Sequence, residues 1–256
     1  MEVTDFTKAQ GHWILAKMGK RVLRPGGKEL TKKLVSELHI NHDDDLVEFA
    51  PGLGFTANLA LDQSPHSYVG VDADEDAVSE LKKHIKGNNI KFQIGNAAET
   101  HLPEASKNKV FGEAMLTMHA DHRKSDIIKE ARRILKKGGL YAIHELGLVD
   151  VDDSLKSEIQ KELALAIKVN ARPLTEQEWK ELLEKEGFKV NKVYTNGMFL
   201  LEYGRIIDDE GFFRTLKIGY NILTHPKALK RILEMKKIFR KYQRHMNAIV
   251  IIAEKL

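Results

Sequence analysis

The sequence predicts an α/β fold: a doubly wound, mostly parallel, seven-stranded sheet, with helices ahead of it and a helical cap inserted before the last strand. Three observations predict it. From residue 45 onward, short β-rich runs alternate with helical patterns. A glycine turn, Pro51-Gly52-Leu53-Gly54, joins the first of those runs to the first helix. A final β-rich apolar run, Ala248–Ala253, follows a long and mostly helical stretch. Strands alternating with helices require a parallel sheet covered on both faces, and right-handed crossovers leave a doubly wound order as the topology.

The elements follow in order. Lys8–Met18 is helical in pattern, and Arg24-Pro25-Gly26-Gly27 is a turn, because proline fixes φ and the glycines permit unusual dihedrals. Leu30, Leu34, Val35 and Leu38 recur at helical spacing, so a helix covers about Lys28 to His39. Asp45–Ala50 reads as a buried strand and Thr56–Asp62 as a helix. Tyr68–Asp72 and Ile90–Ile94 are strands on either side of a helix over Glu75–Ile85. Val110–Met115 is the fourth strand. Arg123–Leu135 is a helix closed by the turn Lys137-Gly138-Gly139, and Leu140–Glu145 is the fifth strand. Val151–Val169 is helical. Thr175 stands three residues before Glu178, a capping-box spacing for a helix that stops at Gly187. Phe188–Tyr194 is the sixth strand, and the helical cap lies between it and the last.

Bulk composition is that of an ordinary globular chain: of 256 residues, 42% are hydrophobic and 30% charged. A balance of 41 Lys and Arg against 37 Asp and Glu is mildly basic and does not demand a nucleic-acid partner. There is no cysteine, which excludes disulfides, thiolate nucleophiles and cysteine metal sites together. Met1–Lys20 carries no signal-peptide pattern, and the Ala248–Ala253 run is too short to span a bilayer, so a cytoplasmic location is expected.

The segment Leu46-Val47-Glu48-Phe49-Ala50-Pro51-Gly52-Leu53-Gly54-Phe55-Thr56-Ala57 is a strand, a tight turn and a helix start. Gly52 and Gly54 let a ligand approach the backbone. Gly52-x-Gly54-x-x-Ala57 also fits a dinucleotide fingerprint, and Asp72 lies where a ribose-binding acid would stand for either cofactor. Glu48 separates the two. A pyrophosphate wants the bare positive end of a helix, whereas an ammonium and a sulfonium favour a nearby carboxylate. One such pair at roughly 4 Å and an effective dielectric of about 20 is on the order of 4 kcal/mol before desolvation.

Glu48-x-Ala50-Pro51-Gly52-x-Gly54 resembles the first motif of class I S-adenosylmethionine-dependent methyltransferases, of a bacterial small-molecule type. Val69-Gly70-Val71-Asp72-Ala73-Asp74 resembles their second motif, whose acid holds both ribose hydroxyls. Phe92-Gln93-Ile94-Gly95-Asn96-Ala97-Ala98-Glu99 through Leu102-Pro103 is similar to the third, with Asn96 where an aspartate often meets the adenine amino group. Glu130–Gly139 resembles the helix and turn before the family's fifth strand, and parts of Pro173–Ala253 resemble a bacterial subgroup. The resemblance implies S-adenosylmethionine as cofactor and S-adenosylhomocysteine as product. It implies cofactor contacts from Glu48, Ala50, Gly52, Gly54, Asp72, Ala73, Asn96, Ala97 and Thr117. The chain, 1–256, is then one methyltransferase domain. It comprises an N-terminal lid (1–43), a cofactor-binding core (44–147) and a C-terminal half (148–256) whose last strand covers about 247–254.

Methyl transfer is a direct displacement, so the protein mainly aligns donor and acceptor and excludes water. After the fourth strand, Leu116-Thr117-Met118-His119-Ala120-Asp121-His122 holds two candidate bases, His119 and His122. A metal reading would need a third ligand such as His144 or Glu145, and no metal is expected. The Asn/Asp-Pro-Pro-aromatic signature for exocyclic base amines is absent. Between His225 and Met246 lie eight Lys or Arg and one acid, Glu234, with apolar residues at helical spacing. That is a cap helix with a solvated face, or a basic surface for RNA or anionic membrane. Trp13, Trp179 and Phe212-Phe213 read as core or acceptor-pocket lining. The acceptor is expected to be a small molecule. An RNA or lipid-surface acceptor is the alternative, and a nicotinamide-dependent oxidoreductase the next.

Overall fold

Glu75–His84 and Glu176–Lys185 begin where side chains can satisfy the first free amides. Asp74 accepts the Ala77 N–H at 2.9 Å, and Thr175 and Glu178 form the reciprocal capping box, with Glu178 Oε2 accepting the Thr175 N–H at 2.8 Å. The computed structural model describes residues 5–256, so residues 1–4 of the expected lid lie outside the described residues.

In chain order the main elements are α1 (Gly11–Lys17), α2 (Gly27–Glu37), β1 (Asp45–Phe49), α3 (Phe55–Leu61), β2 (Ser67–Asp72), α4 (Glu75–His84), β3 (Ile90–Ile94) and β4 (Lys107–Glu113). They continue with α5 (Asp121–Ile134), β5 (Leu135–Leu148), α6 (Asp153–Ile167), β6 (Leu174–Thr175), α7 (Glu176–Lys185) and β7 (Phe188–Gly197). The cap helices α8 (Tyr203–Glu210), α9 (Phe212–Leu223) and α10 (Pro226–Lys241) precede β8 (Met246–Lys255). The sheet runs β3-β2-β1-β4-β5-β8-β7. β1 to β5 pair in parallel, and β8 is antiparallel to both β5 and β7. This is the mostly parallel, doubly wound sheet, with its helical cap between the last two strands.

Two expectations change. The sheet has an eighth strand, the two-residue β6, which pairs with Gly147 and Leu148 of β5 and is too short to leave a periodic signal. The turn expected at Lys137-Gly138-Gly139 lies inside β5. Leu135 pairs with Lys107 and Leu140 with Lys109, and the register shift between them is taken up where Gly138 has φ +76°. The Asp209-Glu210 segment closes α8 and straps down the N-terminal segment. Glu210 Oε1 accepts the N–H of Arg21 and Val22 at 2.7 and 2.8 Å, and Asp209 Oδ1 accepts the N–H of Lys28 at 2.9 Å.

Burial divides into three layers. Val47, Val71 and Ile143 face α5 and α7 on one side of the sheet. Leu46, Tyr68 and Phe111 face α2, α3 and α4 on the other. A third cluster, including Leu15, Leu163 and Met235, joins α1, α6 and α10 under the cap. Trp179 is fully buried, its indole N–H donating to Leu146 O. Phe212 and Phe213, read as core or pocket lining, are exposed instead: α9 buries only Ile218 and turns those rings outward. Among the described residues no helix is long and apolar enough to cross a membrane.

Candidate active site

The loops at the carboxyl ends of β1, β2 and β4 open into one cavity, the position where a doubly wound sheet presents its ligand. Ala50, Pro51, Gly52 and Leu53 line it from the loop after β1, Asp72 from β2, and Glu113 and Ala114 from β4. The N-terminal segment closes it with His12, Trp13, Arg21 and Arg24. Ala50 and Ala114 sit in the left-handed region, at φ +54° and +52°. Such strain in L residues collects at functional sites, and here it stands just past the ends of two neighbouring strands, β1 and β4. A Cβ on Gly52 would meet nothing nearer than Ala50 O at 3.9 Å, so that backbone is open to a ligand. A Cβ on Gly54 would strike Leu81 Cδ2 at 2.6 Å, so Gly54 serves the packing of α4.

Asp72 is fixed by two backbone donors, Gly52 N–H on Oδ2 and Asp74 N–H on Oδ1, both at 3.0 Å. Burial raises its carboxyl above the usual range, against those hydrogen bonds. Glu113 accepts from Arg24 at 2.5 Å, from Thr56, and from His144 Nδ1 at 2.7 Å. Burial alone would raise it, but Arg24 and His144 outweigh that cost and hold it down at about 2. Glu48 does not line the cavity. Its carboxyl is buried beside the sheet and accepts the Tyr68 hydroxyl at 2.5 Å. Burial pushes it up to about 8, with Tyr68 opposing the shift and Glu113 adding to it.

A second, apolar chamber of about 80 Å³ adjoins the first. His12, Leu23, Ala114 and Met118 line both. Apart from His12 and Thr117, every side chain around it is apolar, including Leu146 of β5, Leu163 and Ile167 of α6, and Met235 and Phe239 of α10. Burial pushes the His12 imidazole down to about 4, so at neutral pH the junction holds an uncharged ring.

The methyltransferase domain family matches residues 46–139. A Haemophilus influenzae protein of uncharacterised function is 32% identical over 249 residues, covering 96% of this chain and 98% of its own. The cyclopropane synthase MmaA2 from Mycobacterium tuberculosis superposes with TM-score 0.72 at 14% identity, covering 100% of both chains. The phosphoethanolamine N-methyltransferase 2 of Haemonchus contortus, solved with phosphomonomethylethanolamine and S-adenosylhomocysteine, superposes with TM-score 0.68 at 17% identity, covering 95% of this chain and 56% of that one. This chain belongs to the class I S-adenosylmethionine-dependent methyltransferases. Its cofactor is S-adenosylmethionine, and nothing in these likenesses points to a nicotinamide-dependent oxidoreductase.

The methyltransferase places its sequence-selected residues unevenly. Ala50, Gly52 and Asp72 meet at the cavity, whereas Glu48 and Gly54 lie behind it. Ala73 and Asn96 are exposed and Ala97 is half-buried. The Asn96 amide oxygen already accepts the Ala98 N–H at 3.0 Å and the Arg123 guanidinium at 2.6 Å. Both lone pairs are then engaged, and only its amide nitrogen is left for a base. Thr117 faces the apolar chamber. His119, half-buried, and His122, exposed, line neither cavity. Of the turn at Arg24-Pro25-Gly26-Gly27, only Arg24 and Pro25 line a cavity. Sequence reasoning missed His12 and Glu113. Glu113 ends a strand next to the sheet's switch point, a readable signal. His12 is brought in by a helix that no motif ties to the site.

Glu145 anchors the loop after β4. Oε1 accepts the N–H of Met115 and Leu116, at 3.1 and 2.8 Å. Oε2 accepts the Thr117 N–H at 3.0 Å and its hydroxyl at 2.7 Å. Glu145 is thus fully engaged by backbone and hydroxyl donors, and His144 meets Glu113 through Nδ1. Among the described residues no group of three or more His, Cys, Asp or Glu stands close enough to hold a metal ion. Glu145→Gln would turn a donor amide toward donors, and roughly 2 kcal/mol of stability should go. Urea unfolding checks this; a midpoint unchanged from wild type would mean the loop is held elsewhere.

Proposed function

We propose that the chain transfers the methyl group of S-adenosylmethionine directly onto a small-molecule acceptor with a largely apolar body. The acceptor is held in the chamber under the cap. The observation that carries this is the junction: an apolar chamber meets the cofactor cavity along His12, Leu23, Ala114 and Met118. A pocket for a small ligand is expected to be apolar with a few placed polar groups, and His12 and Thr117 are those groups here.

In this reading Asp72 takes the ribose hydroxyls, and Ala50 and Gly52 give the cofactor a close backbone approach. Arg21 and Arg24 offer cations to its carboxylate. Ala73, Asn96 and Ala97 flank the base, with Asn96 using its amide nitrogen. Glu48, protonated behind the wall, makes no contact with the cofactor here, and Gly54 contributes through the packing that holds the turn. The cofactor supplies an electrophilic methyl on a sulfonium. The acceptor's lone pair forms the new bond to that carbon as the carbon–sulfur bond breaks, and S-adenosylhomocysteine leaves. His12, neutral at working pH, offers a ring lone pair to orient the acceptor or take its proton. His119 and His122 have no part in this arrangement. The Lys and Arg residues of α10 line neither cavity, so the geometry favours a small-molecule acceptor over one on RNA or a lipid surface.

A methyl-transfer screen over apolar-bodied metabolites, read with labelled cofactor, tests the proposal. Ala171, which is buried in the chamber wall, gives the control. Ala171→Phe should cut turnover of any acceptor found by at least about tenfold, because a misplaced acceptor forfeits alignment. S-adenosylhomocysteine affinity should stay as in wild type. Full activity in the filled chamber would sink the assignment of the acceptor site.

A further inference from the structure

Outside the methyl-transfer machinery, α6 and α10 form a second, wider groove on the surface, with Thr7 at one side. Its lining is unusually cationic. Lys168, Lys227, Lys230, Arg231, Lys237 and Lys241 face two carboxylates, Glu162 and Glu234. The excess of four positive charges equals the formal net charge of the entire chain. Lys241 is neutralised by Glu158 and Glu162, at 2.9 and 2.8 Å, and Lys227 interacts with Asp5. Lys168, Lys230 and Lys237 make no ion pair among the described residues.

Arg231 decides what this charge is for. Its side chain is 8% exposed and meets Glu234 through one nitrogen only, NH1, at 3.3 Å. Its Nε and NH2 are buried with no hydrogen-bond partner among the described residues. A buried guanidinium that leaves two donors unmatched carries a large desolvation cost unless an anion completes it. Nε and NH2 together form the edge that takes two oxygens of a phosphate or carboxylate side by side. Lysines around that edge add charge without fixed direction, which suits a tetrahedral, multiply charged oxyanion better than a single planar carboxylate. We propose that this groove is a binding site for a phosphoryl anion, with Arg231 as the bidentate contact and Lys230 and Lys237 as flanking cations. The site is separate from the cofactor cavity and stands whether or not the acceptor chamber is as assigned.

The phosphoryl group could be free in solution or belong to a lipid headgroup, and the test separates the two. Titration calorimetry with inorganic phosphate and with pyrophosphate, at constant ionic strength, is set beside flotation with vesicles of phosphatidylglycerol or phosphatidylcholine. Wild type is compared with Arg231→Met and with the surface double variant Lys230→Gln/Lys237→Gln, using S-adenosylhomocysteine affinity as the check that each variant is folded. The expected result is saturable binding, tighter for pyrophosphate than for phosphate and weakened at least tenfold in both variants. Binding of the free anions marks a soluble ligand. Binding confined to phosphatidylglycerol vesicles, with the same dependence on the two variants, marks a headgroup. Should Arg231→Met fail to fold, the double variant carries the test alone. The proposal is overturned if neither free anion nor anionic vesicle binds, or if binding persists unchanged in the folded variants.

Discussion

Glu48→Gln should stabilise the protein at pH 8 and destabilise it modestly at pH 5. Burial raises the native carboxyl from 4.5 to about 8. Between those values the native state holds a proton that the unfolded chain has released. Stability contributed by this group is therefore fully present below about 4.5 and is lost as pH rises toward 8. At about 1.4 kcal/mol per pH unit the loss is on the order of 5 kcal/mol across the window. Glutamine keeps an acceptor for the Tyr68 hydroxyl and cannot ionise. It places an amide donor in the same buried space, which costs about 1–3 kcal/mol at every pH. The decisive quantity is therefore the difference between variant and wild type as a function of pH. Urea unfolding at pH 5, 6.5 and 8 should show the variant gaining steadily on the parent. Parallel curves would mean that Glu48 ionises in the native state as it does in water.

The same shift revises what the first motif does here. A carboxyl that stays protonated near neutrality is a poor partner for an ammonium group, which was the reason for reading Glu48 as a cofactor contact. Glu113, held ionised by Arg24 and His144, is a carboxylate that does stand on the cavity wall, beside Asp72. The distinction was not legible because strand periodicity gives the face of a side chain and not its depth. Glu48 stands beside Leu46 in the sequence pattern and buries with it.

Strands and helices were legible wherever burial imposed a period. Ile90–Ile94 and the Thr175 cap stand where the sequence puts them. What escaped was set by long-range contact. β6 exists only because β5 is beside it, and α8 closes where Asp209 and Glu210 can reach the amides of residues 21, 22 and 28. The apolar chamber belongs to the same class, since α1, α6, α10 and the segment at Met198 and Leu200 meet there from four separate stretches of chain. Its apolar lining looks like core in every one of them. The site's loops after β1 and β2 were readable for the opposite reason: glycine and aspartate at a strand end carry their chemistry locally.

Asp72→Ala is expected to weaken S-adenosylhomocysteine binding about 100-fold. Each carboxylate oxygen already accepts one backbone N–H, from Gly52 and from Asp74. That fixes the plane of the group and leaves a lone pair on each oxygen toward the cavity. Two ribose hydroxyls would fill those positions with hydrogen bonds to a charged acceptor, worth roughly 1.5–3 kcal/mol apiece. Losing the pair, offset by relief of a costly buried charge, comes to about 3 kcal/mol, or two orders of magnitude in Kd. Asp72→Asn keeps one acceptor and should lose about tenfold. Calorimetry with S-adenosylhomocysteine and with an analogue lacking one ribose hydroxyl makes the test specific. If Asp72 holds the sugar, the analogue's penalty in wild type should largely vanish in Asp72→Ala, because the contact is then already gone. If instead the carboxylate only braces the Gly52 turn, both ligands should weaken in parallel, and the ribose would have to be held from another side of the cavity.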